Sequence, residues 1–246
     1  MQEKQLRLDD LEYNNLKLWQ DVDGYCFTSD AVLLANHVRA TKRDIVVDFG
    51  CGNGVIAILV AGKTTAQKVV GVEKQEDAYL LAMKNVEFNN LQDRVQIVHA
   101  DINDTDSILG KESVSVVVCN PPYFAEQSGQ KRLTESIALA RHESSCTLDG
   151  IVRQASQILQ FGGKFFMIHK TERMAEVLAS MVENQLSPKK MTLVYPKADK
   201  RPDTFIIEGK KGGQSGMVVD SLVVYNQDGS MTDQAKILYN KAYESK

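Results

Sequence analysis

The chain has 246 residues, 43% hydrophobic and 25% charged, enough for one sizeable core and an ordinary balance for a globular protein. A formal net charge of -3 excludes indiscriminate attraction to nucleic acid, although Lys189, Lys190, Lys197, Lys200, Arg201, Lys210 and Lys211 gather in one stretch that reads as a local basic surface or as a lysine-guarded hairpin edge. No run approaches the roughly 20 apolar residues of a membrane span, and the opening MQEKQLRLDDLEYNN has no apolar signal core, so the chain reads as cytoplasmic.

The pattern alternates along the chain. Residues 30–40 (DAVLLANHVRA) carry apolar side chains at helical spacing, with Ser29 or Asp30 as a cap. A short buried strand, IVVDF (45–49), precedes a helix that starts at Gly54. A strand at 68–73, a helix at 76–91 and a strand at 95–100 follow. After an irregular or short helical piece comes a fourth strand at 113–119. Residues 149–160 read as a helix, 163–169 as a fifth strand and 172–186 as a helix. Residues 190–196 and 204–210 read as strands joined by a loop, hence an antiparallel pair. Residues 217–226 carry a further strand pattern with no assigned place, and a terminal helix starts near Thr232. Cys26, Cys51, Cys119 and Cys146 form no CxxC and no zinc spacing with the four histidines, so they read as free thiols of a reducing compartment, and no metal is expected.

Strands alternating with helices predict an α/β, doubly wound, mostly parallel sheet with helices on both faces. Ligands in such sheets bind outside the carboxyl ends of the strands. The loops after Phe49, Glu73, Ala100 and Cys119 therefore share one rim, and each carries polar or glycine-rich sequence. In VVDFGCGNG, Gly50, Gly52 and Gly54 let a ligand approach the backbone closely. Asp48 precedes them and no phosphate-loop lysine follows, which disfavours a pyrophosphate and favours an ammonium or sulfonium group. Glu73, roughly 20 residues on, suits a pair of ribose hydroxyls, or else an acid opening the next helix. Asp101 suits an adenine amino group or a helix cap. His99 alternates toward the core and reads as structural. In CNPPYF, two successive prolines end the strand.

Glycine loop, ribose acid, adenine-side acid and NPPY on consecutive strands resemble the class I S-adenosylmethionine-dependent methyltransferases, specifically those that methylate an amino nitrogen conjugated to a ring or carbonyl. The resemblance implies a Rossmann-like, mostly parallel seven-stranded sheet with an antiparallel C-terminal strand pair. It implies a cofactor set of Thr28, Asp30, Asp48, Gly50, Gly52, Gly54, Glu73, Lys74, Asp101, Ile102 and Asn120. The chemistry accounts for NPPY. An adenine amino nitrogen delocalises its lone pair, and two acceptors aimed at its hydrogens, the side-chain oxygen of Asn120 and the carbonyl of Pro121, pull it toward tetrahedral geometry. Pro121 and Pro122 fix that carbonyl, and Tyr123 stacks on the base, worth roughly 1–3 kcal/mol. The catalytic contribution of Asn120, Pro121, Pro122 and Tyr123 is then mainly positioning.

GYCFTSDAVLLANHV (24–38), RHE (141–143) and RPDTFIIEGKKGGQSG (201–216) resemble segments of the tRNA(Val) adenine-N6 methyltransferase family. This implies tRNA as partner and residues 28–31 closing over the methionine end of the cofactor. Where typical members carry a basic residue in the early segment, this chain has Cys26. Expected substrate contacts are Tyr123, Phe124, Lys131, Arg132, Lys210 and Lys211, the last two on a loop that closes on RNA. One domain is expected over 1–246, with a closing segment at 1–44, a core at 45–210 and an extension at 211–246, as monomer or homodimer. Three alternatives compete. A release-factor glutamine methyltransferase uses the same motif but carries a helical domain where only about 45 residues precede Asp48 here. A non-catalytic cofactor- or RNA-binding module would tolerate erosion of motifs that are intact here. A nicotinamide dehydrogenase leaves NPPY unexplained.

Overall fold

In the computed structural model of the protein, residues 5–24, 26–122 and 147–239 are described. The chain opens with a hairpin, β1 (Leu6–Asp10) and β2 (Lys17–Asp21), and helix α1 (Ser29–His37). It continues through β3 (Ile45–Phe49), α2 (Val55–Lys63), β4 (Lys68–Glu73), α3 (Glu76–Phe88), β5 (Val95–His99), a short turn into α4 (Thr105–Leu109), and β6 (Val114–Cys119). Beyond residue 146 come α5 (Leu148–Ile158), β7 (Leu159–Lys170), α6 (Met174–Glu183), β8 (Leu186–Lys197), β9 (Thr204–Lys211), β10 (Val218–Tyr225) and α7 (Asp233–Leu238).

The main sheet has the order β10-β8-β9-β7-β6-β3-β4-β5. From β7 to β5 every pairing is parallel, β9 runs antiparallel between β7 and β8, and β10 lies parallel to β8. Strand order reverses between β3 and β6, where open parallel sheets place their ligands. Successive side chains alternate between two apolar layers. Val46, Val116, Val118, Phe166 and Ile168 face α1, α2 and the hairpin, whereas Val47, Phe49, Val117, Phe165 and Met167 face α5 and α6. Helix α2 is buried all round from Val55 to Ala61, because the sheet, α1 and the hairpin residues Leu16 and Leu18 enclose it.

Several elements differ from the sequence expectation. The sheet has eight strands, since residues 218–225, whose pattern had no assigned place, add an outer strand beside β8. The hairpin has no counterpart in the sequence pattern, because its strands are short and polar on one side. Its outer edge is covered by side chains of α3. Asn85 accepts from the Trp19 N–H at 2.7 Å and donates to its carbonyl at 2.9 Å, and Asn89 does the same for Lys17 at 2.9 and 2.7 Å. Two amides thus take the place of a neighbouring strand. Helix α1 begins at Ser29 after Thr28, whose side chain makes no capping bond, so neither Ser29 nor Asp30 is its cap. No helix among the described residues is long and apolar enough to cross a membrane.

Gly71 in β4 lies beneath the turn that follows β3. A Cβ there would stand 2.8 Å from Cys51 Sγ and 2.9 Å from Ile97 Cδ1. Gly71→Ala is expected to cost about 1–3 kcal/mol by overpacking, read as a lower urea midpoint with an unchanged slope.

Candidate active site

The turns after β3, β4 and β5 are joined by hydrogen bonds to one strand end. The Val72 carbonyl accepts from Gly50 N–H at 2.9 Å and Cys51 N–H at 3.1 Å, and the Glu73 carbonyl accepts from Ala100 N–H at 3.0 Å. The Glu73 carboxylate accepts from Gly52 N–H at 2.9 Å and Gln75 N–H at 2.8 Å. Gly50 and Gly52 take positive φ values of 66° and 55°, which turn the loop tightly at little steric cost. A Cβ on Gly52 would meet nothing within 4 Å, so the space before the loop is open. Ile102 approaches the loop at Gly50, 4.0 Å from where a Cβ would stand.

Asp48, two residues before Gly50, is fully buried, and neither carboxylate oxygen has a hydrogen-bond partner. Burial pushes its pKa up to about 8. Glu73 adds to that rise, and the Ala57 N–H pulls the other way without making a hydrogen bond. An orphaned buried carboxylate is costly, and the cost falls if a cationic group binds beside it. Among the described residues no group of three or more His, Cys, Asp or Glu is placed to hold a metal.

Asp101 caps the turn after β5: its Oδ1 accepts from the Asn103 N–H at 2.9 Å, and its Oδ2 lies 3.1 Å from Lys74 Nζ. Oδ1 also accepts from Asn103 Nδ2 at 2.9 Å, so Oδ1 does the capping and an outward-facing role would fall to Oδ2, beside Lys74. His99 is exposed rather than turned toward the core. Its ring stacks on Tyr79 with centroids 5.0 Å apart, and Nε2 lies 2.9 Å from the Lys74 carbonyl.

Cys119 pairs with Phe49 in the sheet, so Asn120 follows β6 beside Gly50, across the point of order reversal. Pro121 is buried and Pro122 exposed. Helix α1 leads through residues 38–44 to the amino end of β3, so its own start, with Thr28 and Asp30, faces the carboxyl rim. Tyr123, Phe124, Lys131 and Arg132 lie outside the described residues.

Lys210 and Lys211, expected on a loop that closes on RNA, stand away from Asn120. Lys210 pairs with Lys164, and Lys164 with Val116 near the start of β6. At about 3.3 Å per residue this is roughly 13 Å down the strand from Asn120. Lys211 Nζ is engaged with Glu112 Oε1 at 3.0 Å and the Leu159 carbonyl at 2.8 Å. Antiparallel β9 carries the two lysines to the amino rim. The same reversal brings Lys197, Lys200 and Arg201, in the loop from β8 to β9, to the rim that holds Asn120. Two cavities of about 490 and 420 Å³ also lie near the amino rim, lined by residues such as Lys63, Arg39 and Lys164; neither contains any of the expected site residues.

Sequence reasoning missed Gln20, Asn53 and Asn85, three buried amides behind the glycine loop. The one available signal was Asn85 and Asn89, polar residues four apart on a helix.

A family model described as methyltransferase small domain matches residues 27–191. A tRNA1(Val) (adenine(37)-N6)-methyltransferase of Flavobacterium johnsoniae is 26% identical over 214 residues, 87% of this chain and 90% of that protein. A protein of the same name from Parabacteroides distasonis is 25% identical, covering 80% of this chain and 81% of its own. Among solved structures, a predicted O-methyltransferase from Agrobacterium tumefaciens superposes with TM-score 0.71 at 21% identity, covering 86% of this chain and 95% of that one. The tRNA m1G37 methyltransferase of M. jannaschii gives 0.61 at 17%, covering 87% and 59%. At those identities the two structures share the Rossmann-like class I methyltransferase fold and nothing further follows from them.

The buried acid makes stability depend on pH. An unfolded Asp48 ionises near 3.8 and the folded one near about 8, so between these values the folded chain holds the extra proton and stability falls as pH rises. Asp48→Asn cannot ionise. Its unfolding free energy from urea titration is expected to gain on that of the wild type from pH 4 to pH 8, by at most about 1.4 kcal/mol per pH unit; parallel curves would show that Asp48 is not the source.

Proposed function

We propose that this chain, which belongs to the methyltransferase small domain family, methylates the exocyclic N6 of an adenine in tRNA with S-adenosylmethionine as donor. The observation that carries the proposal is the pairing of Asp48, a buried carboxylate with no partner, with an open glycine turn one strand away from Asn120 and its prolines. That arrangement suits a cationic ligand whose reactive end meets an amine acceptor. The names of the relatives supply the finer assignment, the adenine beside the anticodon of a valine tRNA.

The residues fit the donor. Asp48 would face the ammonium end, which lowers the cost of burying its charge. Glu73, already held by two N–H groups, has lone pairs left for ribose hydroxyls. Asp101 and Ile102 would flank the adenine, and Thr28 and Asp30 would close the methionine end, with Lys74 beside Asp101. S-adenosylmethionine supplies a methyl group already activated on sulfonium. The chain's own task is then alignment. The Asn120 side-chain oxygen and the Pro121 carbonyl would accept the two amino hydrogens and turn the nitrogen lone pair toward the methyl group, with Tyr123 stacking on a base that has left its own stack.

Radiolabelled methyl transfer to total tRNA, total rRNA, DNA and protein side by side, followed by nucleoside analysis, tests the assignment. Label in N6-methyladenosine of tRNA is expected. Label in a release factor but not in tRNA would overturn the substrate, and no transfer to any of the four would favour a binding module. Glu73→Ala is expected to weaken S-adenosylmethionine binding by calorimetry. Asn120→Ala is expected to lower turnover by about 100-fold or more, on the scale of losing one oriented transition-state hydrogen bond, with donor affinity within a few fold. If both fall together, the loop holds the cofactor rather than the amine.

RNA contacts are expected on the rim that carries Asn120. Replacing Lys200 and Arg201 with Ala should reduce the log–log salt slope of tRNA binding by about 0.7–0.9 per lost phosphate contact. The same change at Lys210 and Lys211 should leave the slope alone. The reverse result would move the RNA to the amino rim.

A further inference from the structure

Behind the glycine turn, one side chain touches both walls of the proposed cleft. Gln20 on β2 is 1% exposed. Its Oε1 accepts from the Phe27 N–H at 2.9 Å and lies 3.5 Å from Asn53 Nδ2, a longer and weaker contact. Its Nε2 donates to the Asp9 carboxylate, which the Arg7 guanidinium also grips. Phe27 directly precedes Thr28, and Asn53 sits between Gly52 and Gly54. The Asn53 carbonyl in turn accepts from Asn85 Nδ2 at 2.9 Å, and the same group donates to the Trp19 carbonyl at 2.9 Å. Hairpin, glycine turn, α3 and the segment before α1 therefore meet through three buried amides.

The chemistry at position 20 is narrow. The side chain must accept at one atom, for the Phe27 N–H, and donate at the other, to Asp9. An aliphatic residue would leave the Phe27 N–H without its bond, at the cost of an unsatisfied group. A carboxylate would face Asp9. A side-chain amide of this length meets both demands.

We propose that Gln20 is a positioning residue that sets the spacing between residues 27–30 and the glycine turn, so that the methyl donor enters a cleft already formed. The proposal rests on reading that cleft as the S-adenosylmethionine site. Gln20 touches neither donor nor substrate. Its loss leaves the segment before α1 untethered from the glycine turn, so the donor must order it on binding, and affinity falls while the aligned complex still reacts.

The test uses the full chain, with calorimetry for S-adenosylmethionine and steady-state kinetics on tRNA. Gln20→Ala and Gln20→Glu are each expected to raise Kd and KM for S-adenosylmethionine at least tenfold, with kcat at saturation within threefold of wild type. Combining Gln20→Glu with Asp9→Asn exchanges donor and acceptor across that bond, keeps the acceptor for Phe27 and leaves exposed Arg7 its bond to the other oxygen of residue 9 while its Nη2 turns to solvent, so Kd should return to within threefold. If Gln20→Ala does not fold, the Glu variant and its rescue decide the matter. A lower melting temperature with Kd and KM unchanged would make Gln20 a folding residue only and overturn the proposal, as would failure of the double variant to recover. Absence of S-adenosylmethionine binding by the wild-type chain is a different failure: it removes the reading of the cleft, and this proposal with it.

Discussion

The carboxyl end of β4 holds the site together. Two consecutive residues, Val72 and Glu73, present carbonyl and carboxylate oxygens to N–H groups from the turns after β3, β4 and β5. The glycine turn pairs within itself only at its end, where the Gly54 N–H donates to the Cys51 carbonyl at 2.8 Å, so the amides of Gly50, Cys51 and Gly52 take their partners from β4. Stitched to one strand end, they become a rigid rim. The apolar packing beneath, where bare Gly71 leaves room for Cys51 and Ile97, sets the height at which the rim stands. A carboxylate in this position therefore has a structural task before any ligand arrives, and its remaining lone pairs are the ones available for recognition.

Asp48 shows the opposite economy. It lies on a central strand, and neither of its oxygens has a hydrogen-bond partner. The Ala57 N–H at the start of α2 favours its charge, but not enough to offset burial. Burial and the nearby Glu73 both favour the protonated form. Such a group destabilises the free chain at neutral pH and is relieved by a cation. Strain of this kind concentrates at binding sites, where local rules of stability are broken for a ligand's sake.

Topology sorts the surface charge. The basic run from Lys189 to Lys211 reads as one patch along the chain, but β8 climbs toward the rim of Asn120 and β9 descends from it. Lysines that are neighbours in sequence are thereby divided between two ends of the sheet. Lys197, Lys200 and Arg201 stand at one end, while Lys210 stands at the other with Lys211, which is tied to Glu112 and Leu159. The hairpin gains its place by a comparable conversion, since the side chains of Asn85 and Asn89 complete a strand edge that no strand covers.

The sequence by itself determined the alternation of strands and helices, the shared rim, and the place of Asp48, Glu73, Asp101 and Asn120 at or beside strand ends. These follow from local causes: side-chain periodicity marks each element, and in a parallel sheet every strand end falls on the same side. It also carried the family likeness, through four motifs in fixed order. Only the tertiary structure decided the rest. Where β10 pairs, which rim Lys210 reaches, and how the hairpin is covered all depend on contacts between residues far apart in the chain, and no local period encodes them. The role of Gln20 is of the same kind: a glutamine in a short polar strand looks like surface until Phe27, Asn53 and Asp9 close around it, because burial belongs to the assembled fold and not to the residue.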